Sequence, residues 1–172
     1  MELQTKFRTC IQSGGNQMND RYLYRAKRTD NGEWIVGSLI QTSYLGSIRS
    51  WISSEQEDKA RLREISSNKA VWRAFEVRTD TICQCTELKD KNGKLIWEND
   101  IVELYDRNID YKWRAVILFG NPNCEYTWGW KLKPIGECEA NTDILCWIDM
   151  EESGAFCEVI GSAIDNPELL EK

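Results

Sequence analysis

The sequence predicts a mainly β protein of the α+β kind, with a small closed or nearly closed barrel filling its second half. Three observations lead there. After residue 79, short apolar runs follow one another at the spacing of hairpin-connected strands. Two polar turns, Asp30-Asn31-Gly32 and Asp90-Lys91-Asn92-Gly93, end in the Asn-Gly pair that supplies the positive φ of tight hairpins. Residues 124–132 alternate with period two, placing Cys124, Tyr126, Trp128, Trp130 and Leu132 on one face and Glu125, Thr127, Gly129 and Lys131 on the other.

In chain order, residues 1–20 read as an N-terminal arm, with a strand over Leu3 to Ile11 and a loose linker at Ser13-Gly14-Gly15-Asn16. Residues 21–78 read as an accessory lobe of one hairpin and one helix. The hairpin pairs Tyr22–Arg28 with Trp34–Ile40, and Tyr44–Trp51 is ambiguous. Ser54 followed three positions later by Glu57 matches a capping box. Glu55 with Lys59 and Glu57 with Arg61 stand in the favourable i, i+4 order, so a helix is expected from Ser54 to about Ser66. Val71–Val77 is expected as a strand.

Residues 79–172 read as the barrel. Ile82–Thr86 runs extended into Leu88–Leu104, which reads as strand end, polar turn, short strand, acidic corner at Asn99-Asp100 and a further strand. Ile101–Tyr105, Trp113–Phe119, the alternating stretch 124–132, Ile144–Ile148 and Phe156–Ile160 supply the remaining strands. Asn166-Pro167-Glu168-Leu169-Leu170 places a cap residue, a helix-starting proline and an acidic first turn, so a terminal helical turn is expected.

Composition narrows the chemistry. The net charge of −6 is uneven: residues 1–78 hold 13 Lys/Arg against 9 Asp/Glu, a net +4, and residues 79–172 hold 9 against 19, a net −10. A phosphate-tracking groove in the second half is thereby disfavoured, because such grooves need clustered cations. The chain contains no His, which removes His-based triads and the commonest zinc ligand. Cys83 and Cys85 form C-x-C rather than C-x₂-C; in a strand both thiols share one face, which suits core packing. No glycine-rich phosphate loop is present. Paired carboxylates exist at Glu98 with Asp100 and at Glu151 with Glu152, but corner placement and solvation account for them. No catalytic residue, cofactor or metal is expected, and the chain is not expected to be an enzyme. The absence of an apolar run of membrane-spanning length and of a signal pattern predicts a cytoplasmic protein whose seven cysteines stay reduced.

Two groups of residues are candidate binding surfaces. Tyr126, Trp128 and Trp130 form an aromatic row able to stack a base, a nucleotide ring or a proline-rich peptide, although barrel interior explains the same alternation. Trp34 beside the basic Arg25 and Lys27 is the second, with a barrel-end seal as its structural counterpart.

Three blocks of the chain together resemble the YopX family of phage and prophage proteins. They are Tyr24–Gly37, Cys85–Val102, and Glu158–Ser162 with Asn166–Leu170, in the family's order and approximate spacing. This chain departs from that pattern with Cys85 in place of an aromatic residue and with Glu87 and Asn99 in place of glycines. Asn99 tolerates positive φ, whereas Glu87 is less comfortable there. The resemblance implies an SH3-like barrel in the second half, an accessory lobe before it, self-association, and expression from a phage or prophage; it implies no activity. The expected function is therefore a binding protein that occupies a host protein or a small signalling ligand. Single-stranded nucleic acid binding, or mimicry of nucleic acid by the acidic half, is the alternative, and a carboxylate-and-metal hydrolase ranks last.

Overall fold

The computed structural model describes residues 22–44, 46–54, 74–121, 124, 127–137, 140–148 and 154–171. Strands β1 (Leu23–Lys27), β2 (Trp34–Tyr44), β3 (Ser47–Ser53), β4 (Ala74–Val77), β5 (Cys83–Lys89) and β6 (Leu95–Trp97) form one antiparallel sheet in the order β4-β3-β2-β1-β5-β6. Strands β7 (Asp100–Asp106), β8 (Tyr111–Gly120), β9 (Gly129–Pro134) and β10 (Ala155–Ser162) form a second, in the order β10-β7-β8-β9. The fold is mainly β, and the four-stranded sheet curls into a half-barrel, helped by a bulge between Val159 and Gly161. The arm at 1–20 and the helix expected over Ser54–Ser66 lie outside the described residues.

The first hairpin forms as the turn chemistry requires. Gly32 takes φ 75°, Arg28 N–H donates to the Glu33 carbonyl at 2.9 Å, and Leu23–Lys27 pairs with Trp34–Ser38. The ambiguous stretch Tyr44–Trp51 is a second hairpin, with Gly46 at φ 80° reversing β2 into β3. Gly37 allows β2 to sit close to its neighbour, since a Cβ there would lie 1.9 Å from the Ser53 carbonyl oxygen.

The hairpin at 90–93 also forms, but Gly93 (φ 78°) and not Asn92 takes the positive-φ position. The Asp90 side chain does the rest: Oδ1 accepts the N–H groups of Asn92 and Lys94, both at 2.9 Å, and Oδ2 accepts that of Val159 at 3.1 Å. This buried carboxylate fixes the turn and ties it to β10. Burial alone would raise its pKa, but those three N–H bonds outweigh burial and hold it below the ordinary carboxylate range. The corner before β7 has Asn99 at φ 63°, and Glu87 also takes positive φ, 65°, inside a bulge of β5. A residue in place of glycine thus keeps the left-handed backbone and carries its strain.

One expected strand is a helical turn. Ile144–Ile148 forms α1 (Leu145–Ile148), because Asp143 Oδ1 accepts Leu145 N–H at 3.1 Å and Asn141 Oδ1 accepts Asp143 N–H at 2.9 Å. These bonds supply acceptors to donors that a strand would turn to a neighbouring chain. Ile144 and Trp147, three apart, are then both buried and Leu145 is exposed. Trp147 meets Trp113 edge-to-face at 5.4 Å and donates its indole N–H to the Asn141 carbonyl. At the C-terminus the expected turn forms as Pro167–Leu170, but Asn166 turns its Oδ1 to Ser162 N–H rather than capping it.

Three apolar clusters hold the fold. Val102, Leu104, Ala115, Ile117 and Leu132 line the inside of the curled sheet and are joined by Ile96 of β6. Ala26, Ile35, Ile52 and Val77 cover one face of the six-stranded sheet. On its other face Cys83, Cys85 and Trp97 pack with Leu23, Trp34, Val36 and Ile164. Cys83 and Cys85 are both buried free thiols, as the C-x-C spacing predicts. Burial pushes the Cys157 thiol up to about 12.

Candidate functional site

The sequence singles out two groups, and the structure sends them to different places. Arg25, Lys27 and Trp34 come together on the face of the six-stranded sheet that meets β7. Arg25 lies 4.8 Å from the Trp34 ring centroid and 5.3 Å from that of Trp97, and its guanidinium is ion-paired with the buried Asp100 carboxylate. Asp100 also accepts Trp97 N–H at 2.9 Å. Burial pushes the Asp100 carboxyl up, against the pull of Arg25. Lys27 is paired with Asp165, which also accepts the Trp34 indole N–H at 2.7 Å. Both cations therefore hold a carboxylate, and the cluster ties β1 and β2 to β7 and to the segment after β10.

The aromatic row behaves differently. Tyr126 lies outside the described residues. The period-two pattern over 124–132 does not persist as one strand: Cys124 has φ 57°, and β9 begins only at Gly129. Lys131 and Leu132, expected on opposite faces, are both buried. Trp128 is 77% exposed. Cζ3 and Cε3 of its six-membered ring stand 3.4 and 3.7 Å from where a Cβ on Gly120 (φ 114°) would be. The indole thus stands beside Gly120. Trp130 is half-buried and meets the exposed Phe119 edge-to-face at 5.0 Å.

Trp128, Trp130 and Phe119 line one side of a groove of about 490 Å³. The bulged run Gln84–Leu88 of β5 and Ile144 and Leu145 at the helical turn complete the lining. Lys131 reaches into the lining and donates to Thr127 Oγ1 at 2.9 Å. The volume is that of a small-ligand site, and the mixture of aromatic surface with a few polar groups is what such sites present.

Sequence reading missed Phe119, Glu87, Lys131 and Leu145 as groove residues. Phe119 reads as an ordinary strand end and Leu145 as a strand residue, so neither carries a local signal. Glu87 does carry one, as a non-glycine residue at a corner. Of the carboxylate pairs, Asp100 is committed to Arg25, Glu98 accepts Gln84 N–H at 3.4 Å, and Glu151 and Glu152 lie outside the described residues. Among the described residues no three Cys, Asp or Glu side chains converge as metal ligands would, and no described helix is long and apolar enough to cross a membrane.

No curated protein matches the sequence. The YopX protein family model does match, over residues 23–171, a span holding both hairpin turns, the Asn99 corner and the Trp128 groove. The chain belongs to the YopX protein family.

Proposed function

We propose that this protein is a non-enzymatic, phage- or prophage-encoded binding protein of the bacterial cytoplasm that takes up a host factor or small signalling ligand in the groove beside Trp128. One observation carries the reading: among the described tryptophans only Trp128 is exposed, and it stands at a concave, largely apolar site. A tryptophan left in water forgoes roughly 25 cal/mol per Å² of burial, so such a side chain suits a ligand contact. Nucleic acid as the ligand draws less support, because Arg25, Lys27 and Arg28 each hold a carboxylate, from Asp100, Asp165 and Asp30.

The same reading takes the curled sheet with the β5–β6 hairpin as an SH3-like barrel preceded by an accessory lobe. Its support is that Leu88 and Ile96 share a core with Val102, Leu104, Ile117 and Leu132. Self-association rests on the family resemblance.

The test is to incubate the tagged protein and Trp128→Ala in bacterial lysate and to analyse both bound proteins and bound small molecules by mass spectrometry. A species retained saturably by the wild type and lost from the variant supports the reading. Equal retention by both, or none, overturns it.

A further inference from the structure

Resting on that reading, we infer that the Trp128 groove takes an uncharged heteroaromatic ring of the nucleobase class, stacked on the Trp128 indole, and rejects polyphosphates. Flatness comes first. The indole stands beside Gly120 and is 77% exposed, so Trp128 offers a flat aromatic surface to a planar partner. The Phe119–Trp130 pair continues the aromatic wall.

Polarity comes second. The lining includes the polar residues Gln84, Glu87 and Asp143, and Thr127 stands beside Lys131. Such a lining suits a ring with donors and acceptors on its edge, as a nucleobase has. A purely apolar ring or a proline would cover the Thr127 hydroxyl and the Asp143 carboxylate and offer them no hydrogen bond.

Charge comes third and separates a base from its phosphates. The described lining carries one cation, Lys131, against two carboxylates, Glu87 and Asp143. Lys131 already donates to Thr127, and Asp143 accepts Leu145 N–H. A triphosphate would meet a net negative rim on a protein of charge −6; the described lining has no arginine fork to receive it, and the Leu145 N–H at the start of the helical turn already donates to Asp143. The groove therefore favours a nucleoside over its triphosphate, the reverse of a phosphate-anchored site.

The experiment titrates the full chain with adenosine, guanosine, cytidine and uridine, with the four 5′-triphosphates, and with a proline-rich and a tryptophan-containing peptide. Tryptophan emission and calorimetry are followed at low salt, in wild type, Trp128→Ala and Trp128→Phe. At least one nucleoside should bind saturably. Its affinity should drop about 5- to 100-fold in Trp128→Ala, as for loss of one stacked base, and be partly restored in Trp128→Phe. The matching triphosphate should bind more weakly than the nucleoside. Triphosphate binding tighter than nucleoside binding overturns the inference. So does peptide binding that needs Trp128 while no nucleoside binds, and that outcome leaves the groove as a binding site. If nothing binds in a Trp128-dependent way, the inference is overturned, while the wider reading stands or falls on the lysate experiment.

Discussion

Arg25 of β1 and Asp100 of β7 form an ion pair across the seam between the two sheets, with the carboxylate buried and the guanidinium against Trp34 and Trp97. Removing one partner leaves the other charge in a dry site. Arg25→Met is expected to lose about 3–5 kcal/mol at neutral pH, read from urea unfolding. Part of the loss should return on acidification. Burial already pushes the Asp100 carboxyl up, and without Arg25 it rises further. The folded state then binds a proton where the unfolded chain is ionised, so this stability is present at low pH and lost as pH rises through the raised value. A loss independent of pH would contradict the assignment.

Asp90 has the opposite sign. Its carboxyl is held below the ordinary range, so it contributes stability above the unfolded value of about 3.9, and that stability disappears as pH falls through the folded value. Asp90→Asn keeps an acceptor for Asn92 and Lys94 but turns an amide toward Val159 N–H, or the reverse. A cost of about 1–3 kcal/mol at pH 7 is expected. Unfolding curves between pH 3 and 6 should be flatter in the variant than in the wild type.

These two carboxylates mark what the sequence makes legible. Turns are written locally: Gly32, Gly93 and Asn99 take positive φ where residue type alone predicts it. The two thiols of C-x-C share a buried face because strand geometry leaves no alternative. Ile144–Ile148 is opaque because its helical turn is decided by Asn141, Asp143 and contact with Trp113, which composition does not display. The site is opaque for a related reason. Period two predicts a face only within one strand, and β9 begins at Gly129, after Trp128. Trp128 is visible as an aromatic candidate, but Gly120, Glu87 and Leu145 become its neighbours only through tertiary pairing.

Glu87 sits at φ 65° and is exposed, so its backbone strain has no compensating burial. A non-glycine residue there costs about 1–2 kcal/mol, and glycine returns about 0.5–1 kcal/mol of that to the unfolded chain's entropy. Glu87→Gly should therefore raise stability by about 0.5–1 kcal/mol and shift the denaturant midpoint upward. The same variant should weaken ligand uptake, since it removes a carboxylate from the groove wall. A stabilised variant that binds as the wild type does would place Glu87 outside the recognition surface.

Gly37 is the converse case, a glycine required by space. Adding a methyl puts Cβ 1.9 Å from the Ser53 carbonyl oxygen and 3.1 Å from Ile52 Cγ2. The clash is with paired backbone, so β2 and β3 must separate to relieve it. Gly37→Ala should cost about 3 kcal/mol, the upper end of overpacking, and Gly37→Ser no less. Measurement is by thermal unfolding. Loss of amide-exchange protection should concentrate in β2 and β3.

Trp128 and Trp113 should separate binding from stability. Trp128 is 77% exposed, and Trp113 is buried against Trp147. Trp128→Ala removes little buried area and should change unfolding free energy by no more than about 0.5 kcal/mol, whereas Trp113→Ala should cost about 3–5 kcal/mol. Emission gives a direct readout. Iodide reaches exposed indoles and not buried ones, so Trp128→Phe should remove a large share of the quenchable fluorescence and little of the protected fraction. If Trp128 instead faced the barrel interior, Trp128→Phe would take its loss from the protected fraction, and Trp128→Ala would unfold at markedly lower denaturant.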